Sequence, residues 1–525
     1  MPSFQLKPWL RNFASAAILG LFAAFLAFTA ANQIQKNKRE DIMIYADELK
    51  GGVTYRGAFV GESWQSPSNT VVSSDGWIFD KEEDTYTATN QSSPLTVRLP
   101  AQPERLLTFD ANPDQGKARV IVHGETVTYE LSCEETKPWG RTYTLPDPQN
   151  QNTKIAWGIP FAVGIAAAVL VVLLCTQKKD TCPPPQTVGR EIWADLFRAF
   201  CCFTLILNHC TSNTISRFAY DGQLDTIILN SFTALPSSCF FMVSGAYLLR
   251  KEQSVRKMLT RSLPKIYVPL LCWSAVYILL SGKLEASKFM EMFYQPQKEH
   301  LWFIYSLAAI YLLLPLLSKM FLSLSDNMMF YLLLLLLFIP GLWYDINVLF
   351  ELNLPSLHFA MFWPDLGLFF FGAILWKLHD KVQKKHPAFY LCCWMAGLGL
   401  TVLMTSYLAF KNGSADKYFF HMGSTGRIIM SASVFCLALS LESWLVRLPD
   451  KMKLLILKLG ALSSGVYFIH EIFLTYLNNG IYPALPLYVN TGTLIQMFIS
   501  VIIYYILSNL VCWSGKQTPF LKKLF

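Results

Sequence analysis

Arg198 and His209 stand eleven residues apart in one apolar segment, residues 191–213, which reads EIWADLFRAFCCFTLILNHCTSN. Eleven residues at about 100° each make roughly three turns plus 20°. A helix therefore puts both side chains on one face, about 16 Å apart along its axis. An arginine inside a bilayer helix costs on the order of 3 kcal/mol, so ionisable groups there face a polar interior and mark functional sites. Histidine suits proton transfer near neutral pH. The planar fork of arginine suits a phosphate or a carboxylate. Two plainer readings stand beside these: Asp195, three residues before Arg198, is in reach for an ion pair, and a lone helical histidine is commonly structural. Arg198, Asp195 and Asn208 in one span with His209 favour the catalytic reading.

The elements that must position these groups are bilayer spans. The chain has 525 residues, 53% hydrophobic and only 15% charged, too apolar for an ordinary soluble protein. Twelve apolar runs of about 20 residues read as spans. The expected organisation is a transmembrane helix in 1–31, an extracytoplasmic β-rich domain in 32–152, a transmembrane helix in 153–176, a cytoplasmic linker in 177–187 and a ten-span helical domain in 188–525. The net charge of +8 sits in clusters: Lys7 and Arg11, Lys178 and Lys179, the loop 250–265, Lys377 to Lys385, Arg447 to Lys453, and Lys516 to Lys523. With both termini inside and twelve spans, every cluster falls on the cytoplasmic side. The expected location is a bacterial cytoplasmic membrane, multi-pass, with 32–152 outside. Topology accounts for the basic excess without nucleic acid. Ala30 and Ala31 leave a cleavable signal peptide open, but the first apolar stretch is longer than a usual signal core, so retention is expected.

Eleven of the twelve cysteines lie in or beside spans and only Cys133 is external, which argues against a disulfide framework. None has metal-site spacing, and no metal is expected. In the polar insert, short alternating segments recur at 76–80, 85–89, 95–99, 105–111, 118–122, 125–131 and 141–145. About seven strands separated by turn residues predict an antiparallel β-sandwich. Trp64, Trp77, Tyr86 and Trp139 either stack on sugar rings or pack in the sheets.

Further ionisable groups share the outer depth of the helical domain: His300, His358, Asp365, Arg427, His470 and Glu471. Together with His209 they suggest a polar cavity, although each alone is equally a packing or interfacial residue. The inner loop RKEQSVRKMLTRSLPK carries Arg250, Arg256 and Arg261. It is either topological charge or a binding surface for the phosphates of a nucleotide-like donor.

Several motifs resemble the membrane-bound acyltransferase 3 family. They are Arg198 to His209 as R-x10-H, Phe240-Phe241-Met242-Val243-Ser244-Gly245 as FFxxSG, His300-Leu301-Trp302-Phe303 followed by Tyr311 and Pro315, the basic stretch ending at Pro269, and Ser463 to His470 as S-x-G-x-Y-x-x-H. They occur in the family's order over about 330 residues, and residues 1–185 lie outside the match. Many relatives carry acids after the tryptophan; here the stretch Trp302-Phe-Ile-Tyr305-Ser-Leu-Ala-Ala has none, which is more similar to the branch of enterobacterial common antigen O-acetyltransferase. The resemblance implies transfer of an acyl group, usually acetyl, to a hydroxyl of an extracytoplasmic cell-surface glycan. The co-substrate is acetyl-CoA or another acyl-CoA, with no bound cofactor. It implies catalytic His209, Arg198 and His470, donor contacts at Arg250, Arg256 and Arg261, and acceptor or oxyanion contacts at His300, Trp302 and Arg427. The alternative is a polytopic solute or glycan transporter, which also suits central polar residues and interrupted helices.

Overall fold

The alternating apolar positions of the polar insert become two antiparallel sheets. The computed structural model describes residues 8–36, 39–47, 53–60, 63–89, 93–100, 105–111, 115–122, 125–133, 137–145, 163–169, 171, 191–218, 224–282, 284–352, 364–412, 417–476, 494–519 and 521–525. The chain divides into two compact units, one built on the sheets and one of helices.

After helix α1 (Pro8–Lys36) come eleven strands: β1 (Arg39–Ala46), β2 (Thr54–Val60), β3 (Ser63–Gln65), β4 (Val71–Ser73), β5 (Trp77–Asp80), β6 (Thr85–Ala88), β7 (Leu95–Pro100), β8 (Arg105–Ala111), β9 (Lys117–Val122), β10 (Glu125–Glu130) and β11 (Lys137–Thr144). One sheet has the order β10-β9-β1-β7-β4. The other has β11-β8-β2-β6-β5, with β3 paired to β2. Residues two apart point to one face of a strand. Ile42, Ile44 and Ala46 of β1, Leu95, Val97 and Leu99 of β7, and Ala118 and Val120 of β9 are fully buried, against Tyr55, Ala58, Leu107 and Phe109 of the second sheet. One core joins both sheets, so the domain is a sandwich. All seven expected strands are present. β1 to β4 were not expected, although β1 and β2 each lie between two partners in their sheets.

The aromatic residues divide. Trp77 is core, its Nε1 donating to Ser93 O at 3.1 Å. Tyr86 is half-buried against the core. Trp64 stays 45% exposed and meets Phe59 edge-on at 4.9 Å. Gly57, at φ +138°, leaves the space that the Trp64 ring fills. The side chain of Trp139 lies outside the described residues.

Among the described residues, nine helices are long and apolar enough to cross a membrane, Arg11–Ala31 and eight in the C-terminal part. The helical part comprises α2 (Ile192–Phe218), α3 (Leu224–Thr233), α4 (Pro236–Leu248), α5 (Pro264–Ser281), α6 (Trp302–Ser323), α7 (Asp326–Phe350), α8 (Pro364–Lys377), α9 (Pro387–Asn412), α10 (Thr425–Ser440), α11 (Asp450–Ile472) and α12 (Leu494–Gln517). The expected span 227–249 is two helices, α3 and α4, parted before Pro236, because proline lacks the N–H that an unbroken helix needs. Helix α2 is 27 residues long and polar at intervals, and α8 is described over 14 residues; they occupy the two remaining expected spans of this domain. The expected span 155–175 and His358 lie largely or wholly outside the described residues.

Helix α2 is the central one: α3, α4, α10, α11 and α12 all pack on it. Glycines set the closest approaches. Gly460 of α11 lies directly against Asp195 of α2. Gly245 of α4 lies on the backbone of Phe369, and Gly372 of α8 on that of Met242, so the α4–α8 seam is backbone on backbone.

Candidate active site

Packing of α11 along α2 brings two imidazoles together. The ring centroids of His209 and His470 are 5.3 Å apart. His300, from the turn Glu299–Leu301 that leads into α6, completes a trio at 5.1 Å from His470 and 6.4 Å from His209. The three histidines, more than 90 residues apart in pairs along the chain, form one cluster in which His300 and His470 are buried and His209 is half-buried.

The surroundings hold each ring. His470 Nδ1 lies 2.8 Å from Tyr467 O and 3.1 Å from Val466 O. A carbonyl oxygen only accepts, so Nδ1 carries the proton and the neutral ring presents the lone pair of Nε2. That Nε2 is buried and has no hydrogen-bonding partner among the described residues, and neither ring nitrogen of His300 has one. His300 sits between Tyr277 at 5.2 Å and Tyr467 at 5.7 Å, and the Tyr467 hydroxyl donates to its main-chain oxygen. The Tyr277 hydroxyl donates to Phe468 O at 2.7 Å, tying α5 to α11.

Glu471 adds a carboxylate. It accepts from Thr475 Oγ1 at 2.8 Å and pairs with Lys298 at 3.3 Å. Ligand atoms of His209, His470 and Glu471 lie within 4.8 Å of one another, a donor set chemically suited to a cation; the Lys298 ammonium already balances this carboxylate. Lys298 was not anticipated from the sequence, although it stands two residues before His300.

A second polar cluster lies about three turns earlier on α2, near its start. Arg198 Nη1 is 3.4 Å from Asp195 Oδ1, which is 1% exposed, and its guanidinium lies 4.9 Å from the Tyr247 ring centre. Both sequence readings of Arg198 therefore meet: it is ion-paired, and 27% of its side chain is still exposed. Arg250 grips Glu191 through two nitrogens at 2.6 and 2.9 Å. It also covers Tyr247 at 4.2 Å and Trp376 at 3.7 Å. Tyr247, two residues past the Ser244-Gly245 motif, was not anticipated; it is the ring that two guanidinium groups share. Arg256 and Arg261 are exposed in the helical stretch Val255–Ser262, which runs on into α5, so the expected loop 250–265 is helical from Val255 onward. The basic loop thus divides into a committed arginine and two open ones.

The remaining anticipated residues take different places. Trp302 is 38% exposed and contacts Phe241 and Phe303. Asp365 is buried and accepts from the Ser306 hydroxyl. Arg427, buried in the first turn of α10, donates to Ser237 Oγ at 2.7 Å and to Phe420 O.

A family model described as an acyltransferase domain, Acyl_transf_3, matches residues 191–515. The chain belongs to the acyltransferase 3 family. It is therefore a membrane acyltransferase with multiple apolar helices. No curated protein matches the chain. The matched region contains the histidine trio, the Arg198–Tyr247–Arg250 cluster and the glycine seam, and it excludes the β-sandwich. The family motifs acquire physical reasons: Gly245 permits the seam, Tyr467 and His470 frame His300, and Arg198 and His209 mark the two ends of one helix face.

Proposed function

We propose that the protein transfers an acyl group, acetyl in the simplest case, from a cytoplasmic acyl-CoA to a hydroxyl of an extracytoplasmic glycan. The observation that carries this reading is the convergence of His209, His300 and His470 on the C-terminal half of α2, with Arg198 eleven residues earlier on the same helix. Arg198, Arg256 and Arg261 bind the donor's phosphates. Arg250, held by Glu191, orients Tyr247 beneath Arg198. An extended thioester arm spans the roughly 16 Å of helix to His209.

His209 takes the proton of the acceptor hydroxyl, and that oxygen attacks the thioester carbonyl. The C–O bond forms, the C–S bond breaks, and the thiolate leaves with the proton returned by the imidazolium. His470, its Nδ1–H fixed by helix carbonyls, stays neutral beside His209 and helps hold its ring in place while the proton passes from the hydroxyl to the leaving thiolate. His300 stabilises the developing oxyanion, and Arg427 aligns the acceptor.

The deciding experiment compares surface glycans, by mass, from cells with and without the gene. The expected result is loss of an acyl-sized increment, restored by the wild-type gene and not by His209→Ala. Restoration by a stably inserted His209→Ala protein overturns the scheme.

A further inference from the structure

A pocket of about 130 Å³ lies among α2, α3, the start of α4 and the start of α10. Its wall includes Asn208, the residue before His209, together with Asn230, Ser237, Phe420, Lys417 and Arg427. The lining contains two cations and no acid.

Arg427 is the unusual member. It is 8% exposed, and its hydrogen bonds to Ser237 Oγ and Phe420 O both go to neutral oxygens. Its Nε has no partner among the described residues. Among the described residues no carboxylate stands within ion-pair distance of it. Asp365, the one acid whose field reaches it, is bonded to Ser306. A buried guanidinium with no carboxylate bonded to it is costly, and an anion entering the pocket would supply that partner. Lys417 at the rim adds a second positive charge and draws an anion inward. The amides of Asn208 and Asn230 and the hydroxyl of Ser237 supply donors and acceptors of the kind that pair with sugar hydroxyls. Asn208 and His209 are consecutive on α2, about 1.5 Å apart along its axis, so a saccharide seated here lies at the base's level on the helix, on the adjoining face.

We propose that this pocket is the acceptor subsite and that it selects an acidic saccharide, one whose carboxylate or phosphate is held by Arg427 and Lys417. The proposal rests on the acyl-transfer reading for the word acceptor. The binding of an acidic sugar does not depend on it.

The test measures binding by titration calorimetry with the full-length protein in phosphatidylcholine nanodiscs, without acyl donor. The probes are D-glucuronate, D-glucose and inorganic phosphate. Glucuronate should bind at least about tenfold more tightly than glucose. Arg427→Gln and Lys417→Gln should each weaken glucuronate about tenfold and leave glucose unchanged. Lys417 is exposed, so its variant keeps the question open to refutation if Arg427→Gln misfolds. Equal binding of the two sugars, or indifference to both substitutions, overturns the proposal. If inorganic phosphate binds as well as glucuronate, or if phosphatidylglycerol in the nanodisc displaces glucuronate, the pocket is an anion or lipid-headgroup site and the acceptor assignment fails. If glucuronate binds as expected while no acyl transfer is found, the transfer scheme fails and the pocket stands.

Discussion

The imidazoles of His209 and His470 face each other at 5.3 Å between centroids, on α2 and α11, with the Nδ1 of His470 anchored to two carbonyls of its own helix. The anchor gives the pair a direction. With Nδ1 bonded to carbonyls, Nε2 is the nitrogen of neutral His470 that can accept, and in the proposed scheme the two rings act as one unit.

His209→Ala and His470→Ala should each lower acyl transfer by roughly 10²–10⁴-fold while leaving membrane insertion intact. The double variant should be scarcely worse than the poorer single one, since groups acting as a unit are not additive. Steady-state transfer assays on the three proteins check this. Multiplicative losses would separate the two rings functionally.

Arg198→Lys keeps the charge but loses the planar fork, so transfer should fall about tenfold, chiefly through KM for the donor. If Arg198 serves only Asp195, then Asp195→Asn combined with Arg198→Gln should restore activity. Such a rescue would count against donor binding.

Gly245→Ala should lower stability by about 1–3 kcal/mol, because its methyl group would enter the backbone of Phe369. Gly399 on α9 is the control, since a methyl group added there would meet no atom within 4 Å. Gly399→Ala should hold or raise the thermal midpoint. Thermal unfolding in detergent compares the two. Equal losses would remove the seam as the cause.

Two neighbouring ion pairs of the sandwich should differ sharply. Arg105 is 1% exposed and pairs with Glu40, so Glu40→Gln should weaken protection of β1 and β8 from hydrogen exchange by about 3 kcal/mol. Arg98 and Asp41, at 2.6 Å, are both more than 40% exposed. The hydrogen bond from Arg98 lowers the Asp41 carboxyl below its ordinary range. This pair therefore stabilises above that range and is lost as pH falls through the lowered value. Solvent screening keeps the effect small, and Asp41→Asn should leave exchange nearly unchanged.

Maleimide labelling of single cysteines in intact cells tests the orientation. Positions within 39–145 should react from outside and positions within 250–265 should not. Labelling of the basic loop from outside would reverse the proposed donor side.

Much of this was legible because periodicity and turn residues act locally. The seven strands from Trp77 onward alternate apolar and polar residues between clear turns, and they appear where expected. β1 shows the same alternation in Ile42, Ile44 and Ala46, but it directly follows a helix and opens on Arg39-Glu40-Asp41, which reads as a charged linker. The helix face shared by Arg198 and His209 follows from a fixed rotation per residue. The company His209 keeps does not: His300 and His470 reach it only through the packing of α11 and the turn before α6. Shared depth in the bilayer hinted at a cavity. It did not separate the trio from Arg427, which lines a pocket that none of the three histidines lines. The commitment of Arg250 to Glu191 was equally hidden, since the two are 59 residues apart.

The α4–α8 seam has a mechanical consequence. Where Gly245 meets Phe369 and Gly372 meets Met242, the contact is made by main chain, with no rotamers to exchange. Helices that slide past one another do so by swapping side-chain packings. A joint without them has a single setting, so α4 and α8 travel together as one stiff plate. Any breathing that admits a substrate has to be taken up by the other helices around α2.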